Sequence, residues 1–341
     1  MSAMPSPPHH PPVELQRSGA FTTAQASAIG LSRGQLGGWA YRSISRGVWV
    51  LAHAPAGGDT ASRPRTQGDD RDALIRSLLA VAPGAVASCV TAAQLLHLRL
   101  PARLREETSI HLTRVDGAAR PRRKGVIGHR CVIAPEDVWR QGALGATSPL
   151  RTFVDLAELR TPTGTLALTD AELVAVADGL ICAHRTGPRA GEASWCVPGE
   201  SMSSLERLAG VHGVARARRA AARAMPAVDS MLETRARLLL VEHRLTGWET
   251  DVELRAPGVR TVHPDMADRE HKLSVQVEGP HHDQLCQRER DIDRARATAA
   301  MGWREIRLTR ADLRPSSWAA KEPRAVELVR AARAPSAAVT A

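Results

Sequence analysis

Asp265, Gln276 and Glu278 are the residues whose types and spacing best suit phosphodiester chemistry. Residues 272–278 alternate: Leu273, Val275 and Val277 fall on one face, and Lys272, Ser274, Gln276 and Glu278 on the other, which is the period of a strand. A hairpin bending near Arg269 lays a preceding strand, residues 259–267, alongside and sets Asp265 beside Ser274 and Gln276. One sheet face then gathers Asp265, Gln276, Glu278 and Lys272, and Gly279-Pro280 breaks the strand just before His281 and His282. A carboxylate on one strand and two oxygen-bearing side chains at i and i+2 on the next suit Mg²⁺, which takes oxygen ligands in octahedral array and keeps several waters. Such an ion polarises a phosphate and lowers the pKa of an attacking water, and a nearby His can move the proton. Taken singly, each residue has a plainer reading. Asp265 is a turn residue, His281 and His282 a surface pair, Asp291 and Arg294 a helix ion pair one turn apart, and Cys286 a small apolar filler. Their convergence on one strand face, beside a Gly-Pro break in a basic chain, is what carries the chemical reading.

The elements that must position these residues follow in order. A helix over 231–243 contains Glu233, and strands are expected at 249–254 and 259–267 around the turn Ala256-Pro257-Gly258. The strand 272–278 comes next, then a helix over 283–301 stopped by Gly302, a strand at 303–308, and a last turn capped by Thr309 with Asp312 and Leu313. This series resembles the restriction-endonuclease-like fold with its D…(D/E)xK signature, and more narrowly the uncharacterised actinobacterial domains related to very-short-patch-repair endonucleases. The pieces that carry the likeness are 230–237 with Glu233; Asp265; 275–282; Arg290-Asp291-Ile292-Asp293-Arg294; Gly302-Trp303; and Ile306-Arg307-Leu308-Thr309 with Asp312-Leu313. The resemblance implies a mixed-sheet α/β domain that uses Mg²⁺. Asp265, Gln276, Glu278 and the Val277 carbonyl would be ligands, His281 or His282 the base or acid, and Glu233, Lys272, Asp291 and Arg294 supporting residues. One departure stands out: those relatives carry Glu-x-Asp-Gly before the His pair, and this chain has Gln276-Val277-Glu278-Gly279. An amide replaces the first carboxylate, so one negative charge at the metal is lost and metal affinity should fall. A nuclease fold that only grips DNA or a partner is therefore the alternative reading.

The N-terminal region has its own rhythm. Residues 13–18 suit a short helix; Thr22 and Thr23 cap a helix over 24–28, Gly30 makes a turn, and Ser32 caps a second helix over 33–41. Residues 44–50 read as a strand pair bending at Arg46-Gly47. Two helices on a tight turn followed by a hairpin predict a winged helix-turn-helix with its second helix in the major groove. Arg33, Gln35 and Arg42 would face DNA, Leu31, Leu36 and Trp39 would face inward, and Arg46 would sit on the wing near phosphate. Phe21-Thr22-Thr23-Ala24-Gln25-Ala26, Gly30-Leu31-Ser32-Arg33 and Arg46-Gly47-Val48-Trp49 resemble the N-terminal domain of AbiEi-type antitoxins of type IV toxin–antitoxin systems. The plainer alternative is a small helical cap with ordinary surface arginines. The segment 147–157, Thr-Ser-Pro-Leu-Arg-Thr-Phe-Val-Asp-Leu-Ala, resembles a stretch of the same antitoxin-like proteins, which implies a cognate toxin as a candidate partner. Arg120, Arg122, Arg123 and Lys124 read as a solvated hairpin tip with phosphate contact as the alternative.

Composition bounds these readings. With 341 residues, 43% of them hydrophobic, the chain is long enough for two or three domains and too apolar for wholesale disorder. The net charge of +10 points to a polyanion such as double-stranded DNA, although only Lys124, Lys272 and Lys321 are lysines, so an arginine-rich coding bias is a competing cause. Five cysteines without a CxxC exclude a zinc ribbon and a disulfide scaffold and fit a reducing cytoplasm. The Pro/His-rich residues 1–12 lack the basic start and apolar stretch of a signal peptide, and the apolar run 78–96 is broken by Pro83, Gly84, Ser88 and Gln94, so no membrane partner is expected. The fold class expected is a multidomain α/β protein. Residues 1–12 are a tail, 13–54 the winged helix-turn-helix, 55–68 a linker and 69–183 an antitoxin-like α/β domain. A second linker over 184–200, the endonuclease-like domain with its leading helices over 201–334 and a tail over 335–341 complete it.

Overall fold

The computed structural model describes residues 20–52, 67–197, 201–279, 285–315 and 322–334. It is a mixed α/β protein with three sheets among the described residues, and its chain divides into two compact units, the first from residues 1–97 and 103–152 and the second from 98–102 and 153–341. Among the described residues, no helix is long and apolar enough to cross a membrane. The expected helix at 13–18 and the His281-His282 pair lie outside the described residues.

The first unit opens with β1 (Ala20–Thr22), α1 (Thr23–Ala28), α2 (Arg33–Leu36), β2 (Tyr41–Ser45) and β3 (Val48–Leu51). Both helices start on capping boxes: Thr22 with Gln25 and Ser32 with Gln35 each exchange side-chain and backbone hydrogen bonds. Gly30 supplies the left-handed turn between them at φ 84°. The three strands form an antiparallel sheet in the order β1-β3-β2. Phe21, Ala26, Leu31, Leu36, Ala40 and Tyr41 make a small core, with the Phe21 and Tyr41 rings edge to face at 5.9 Å. The second helix is shorter than the expected 33–41. Gly37 and Gly38 follow Leu36, where helix is entropically costly, and Trp39 is consequently 71% exposed instead of facing inward.

The rest of this unit is α3 (Gln67–Ala80), β4 (Ala85–Ala87), α4 (Cys89–Leu95), α5 (Ala102–Arg105), β5 (Ile110–Arg114), β6 (Val126–Arg130), β7 (Val138–Gln141), β8 (Leu144–Thr147) and α6 (Pro149–Ala157), whose later residues belong to the second unit. A five-stranded mixed sheet runs β6-β5-β4-β8-β7, with β5–β6 and β4–β8 parallel. The basic residues 120–124 are therefore not a hairpin tip: they lie in the crossover that joins two parallel neighbours, and a parallel pair cannot be closed by a tight turn. Ile75 and Leu78 of α3, Ile110 and Leu112 of β5, and Ala20 and Val48 of the N-terminal sheet share one core.

The second unit contains α7 (Asp170–Leu180), α8 (Ser201–Glu206), α9 (Val214–Ala221), α10 (Met231–Glu242), β9 (Met266–Asp268), β10 (Leu273–Glu278), α11 (Leu285–Ala300), β11 (Arg304–Thr309) and α12 (Arg324–Arg333). Its sheet runs β11-β10-β9, with β10 parallel to β11 and antiparallel to β9. Leu273 and Val275 pack with Ala236 and Leu240 of α10 and Val326 and Val329 of α12. The expected strands 249–254 and 259–267 shrink to two isolated bridges, Glu249↔Ala267 and Leu254↔Val262, plus the short β9. Pro264 interrupts the second of them, and a proline cannot donate to the ladder. Buried Asp178 anchors α10: it accepts from Arg237 at 3.0 and 3.1 Å, Thr234 Oγ1 at 2.6 Å and the Met225 amide at 2.8 Å.

Candidate active site

In the second unit, Glu233 and Asp265 share the wall of a cavity of about 480 Å³ with Asp229, Asp251, Asp291 and Arg294. Glu233 stands in the first turn of α10. Its amide donates to the N-cap Ser230 Oγ at 3.1 Å, and its carboxylate accepts from the Asp229 amide at 2.8 Å. Asp265 lies at the bend entering β9, where the hairpin register continues to place it opposite Gln276. Its Oδ2 accepts from the Val277 amide at 2.7 Å. Burial pushes the Asp265 carboxyl up to about 7, the Glu233 charge adds to the rise, and the Val277 hydrogen bond and Arg294 oppose it. Burial likewise raises Glu233, against its bonds to Asp229 and Ser230. The Glu233 charge thus disfavours that of Asp265 across two separate elements, an arrangement a divalent cation would relieve.

The cavity rim is held differently. Burial acts to raise Asp251, but hydrogen bonds from Arg185 and Thr186 overcome it and hold this carboxyl below its ordinary range. The distances are 2.9 and 3.0 Å from the Arg185 amide and Nε, and 3.2 and 3.0 Å from the Thr186 amide and hydroxyl. Asp229 Oδ1 meets Arg189 and lies 2.8 Å from His184 Nε2 and 3.5 Å from Cys182 Sγ. Arg294 pairs with Asp291 at 3.0 Å and reaches Glu305 at 3.5 Å.

The residues expected from the sequence separate into three sets. Asp265, Glu233, Asp291 and Arg294 come together at this cavity. Gln276 and Glu278 share the polar face of β10, yet neither lines it: Gln276 is buried with its amide 3.5 Å from the His263 carbonyl, and Glu278 pairs with Arg307 at 3.2 Å. Val277 supplies its amide to Asp265, while its side chain packs on the apolar core. Lys272 is exposed in the β9–β10 turn at φ 50°, away from the group. His281 and His282 fall outside the described residues. The cavity residues that sequence reasoning passed over are Asp229, Asp251, His184 and His263. Cys182-x-His184, across the expected boundary between the 69–183 domain and the 184–200 linker, is a readable signal, and His263 sits two residues before Asp265.

In the first unit Arg33, Gln35, Arg42 and Arg46 are all exposed. Gln35 accepts from the Ser32 amide at 2.8 Å, so the capping box engages it. Arg46 lines a second cavity with Arg114, Arg120, Arg122, Arg123 and Lys124. Arg123 shapes it by donating to the carbonyls of Arg46, at 2.7 Å, and Val81. No known protein family, curated protein or solved structure matches this chain.

Proposed function

We propose that this chain is a DNA-binding protein whose second unit carries a Mg²⁺-dependent, restriction-endonuclease-like site that nicks or cleaves double-stranded DNA. The observation that carries the reading is the Glu233–Asp265 pair at one cavity wall, two carboxyls raised by burial, with the Glu233 charge adding to the rise at Asp265. The residues fit a hard cation, since oxygen donors from α10 and the β9 entry face a common space, and among the described residues neither carboxyl is in a direct ion pair like that of Asp178 with Arg237. Mg²⁺ bound there would polarise a phosphodiester and acidify a water. Asp265 and Glu233 would hold it, the Val277 amide would fix the Asp265 carboxylate, and Arg294 and Arg290 at the same cavity would attract the phosphate. The N-terminal helix pair and three-stranded sheet suit a winged helix-turn-helix. Arg33, Arg42 and Arg46 would serve as its contacts, and the basic cavity beside Arg46 as a phosphate seat.

A second reading has its own support: Gln276 carries no charge and Glu278 is held by Arg307, so the strand offers the metal less than a D…(D/E)xK strand does. On that reading the protein is a non-catalytic DNA-binding regulator, antitoxin-like and with a toxin as its partner, whose nuclease fold grips DNA. A plasmid-nicking assay with Mg²⁺ separates the two. Nicking by the intact chain that disappears in Asp265→Ala supports the first reading. A gel shift that depends on Arg33, with no cleavage in any divalent metal, supports the second.

A further inference from the structure

We propose that Cys89, His111 and His129 of the first unit form a zinc site, separate from the acidic cavity. The three residues come from three elements. Cys89 opens α4, His111 lies on β5, and His129 lies on the adjacent parallel strand β6. In the β5–β6 register His111 stands opposite Ile127 and His129 opposite Thr113, so the two imidazoles sit one strand apart and two residues offset. Their rings stack at 5.2 Å, nearly parallel, with His111 Nδ1 and His129 Nε2 3.0 Å apart. Cys89 Sγ is 4.0 Å from that same His129 nitrogen, and the three donor atoms lie within 4.8 Å of one another.

The nitrogen–nitrogen and His129–sulfur separations lie within about half an ångström of an ion's requirements. Zn–N bonds of about 2.0–2.1 Å and a Zn–S bond of about 2.3 Å in a tetrahedron put nitrogens roughly 3.3 Å apart and sulfur roughly 3.6 Å from each nitrogen. One thiolate and two imidazoles are a borderline-soft donor set that favours Zn²⁺ over Mg²⁺ or Ca²⁺. Cys89 and His111 are buried, at 7% and 6% exposure, while His129 is half-buried and gives an ion a way in. Cys89 adopts φ 48°, a conformation that costs a non-glycine residue, at the first residue of its helix. Three protein donors leave a fourth position for water. The second Cys/His/Asp group, Cys182, His184 and Asp229, is a poorer host because Arg189 already neutralises Asp229 and Cys182 lies 3.2 Å from the Val228 carbonyl.

The test uses the full chain stripped with chelator and titrated with Zn²⁺ against a chromophoric competitor, then with Co²⁺ followed by its visible and thiolate charge-transfer absorption. The expected result is one equivalent of zinc and a cobalt–thiolate band in the wild type and in Cys182→Ser. Cys89→Ser loses the band and weakens zinc binding by about 100-fold or more. Where circular dichroism shows that Cys89→Ser has not folded, His129→Gln, at a half-buried strand position, decides by the same weakening. Absence of stoichiometric zinc in the wild type overturns the proposal. So does a thiolate band that survives in folded Cys89→Ser, or one lost in Cys182→Ser instead, or unchanged zinc affinity in His129→Gln.

Discussion

Asp178, buried, and Asp265, half-buried, meet the same helix of the second unit in opposite ways. Asp178 receives Arg237, Thr234 and the Met225 amide, so its charge and its oxygens are fully answered. Asp265 receives one backbone amide and faces Glu233, a residue of like charge. Glu233 and Thr234 are sequence neighbours on α10, so one helix serves a finished ion pair on one side and an unfinished acidic pair on the other. A carboxylate that serves the fold brings its own counter-charge, and the cation seat proposed above is sought where an acid stands beside another acid instead.

The largest expected effect breaks the finished side. Asp178→Ala leaves Arg237 buried without its partner and should cost about 3–5 kcal/mol, read as a fall in unfolding free energy by denaturant titration. Asp265→Asn should do the reverse. A carboxyl at about 7 in the fold, against an ordinary 3.8, contributes stability that is present below pH 3.8 and lost as pH rises through 7. In chelator the wild type should therefore lose stability from about pH 4 to 7 on this group's account. Asp265→Asn should flatten that slope and raise Tm at pH 8 by roughly 2–4 °C. A smaller effect sharpens the comparison at its hinge: Ser230→Ala removes the α10 N-cap next to Glu233 and should cost about 1 kcal/mol. Its loss should also weaken any Mg²⁺ response more than an equal loss of stability elsewhere would.

Much of this frame was legible in the sequence, for definite reasons. The alternation of residues 273–278 is strong because one face packs on α10 and α12 while the other stays polar, and the two capping boxes near the N-terminus mark helix starts by chemistry that acts within four residues. Reading failed where the controlling interaction was distant or opposed the local pattern. Trp39 looked inward by helical period, but Gly37-Gly38 ended the helix first. Residues 249–254 and 259–267 looked like two strands, but Pro264 removes a donor the second ladder needs. Asp251 earns its place through a backbone at φ 56° and partners at Arg185 and Thr186, far away in the chain, and no local pattern announces such a contact. Of the candidate residues, Asp265 and Glu233, named from spacing and resemblance, line the cavity, but nothing local showed that Gln276 and Glu278 would turn to His263 and Arg307 instead.

The central claim is that Glu233 and Asp265 form a seat for a divalent cation, and isothermal titration of the chelator-stripped full chain with Mg²⁺ at pH 8 tests it most directly. The account predicts saturable binding of one Mg²⁺ that vanishes in Asp265→Asn and in Glu233→Gln while persisting in Cys89→Ser. No saturable Mg²⁺ binding by the wild type, or binding undiminished in folded Asp265→Asn, would contradict it.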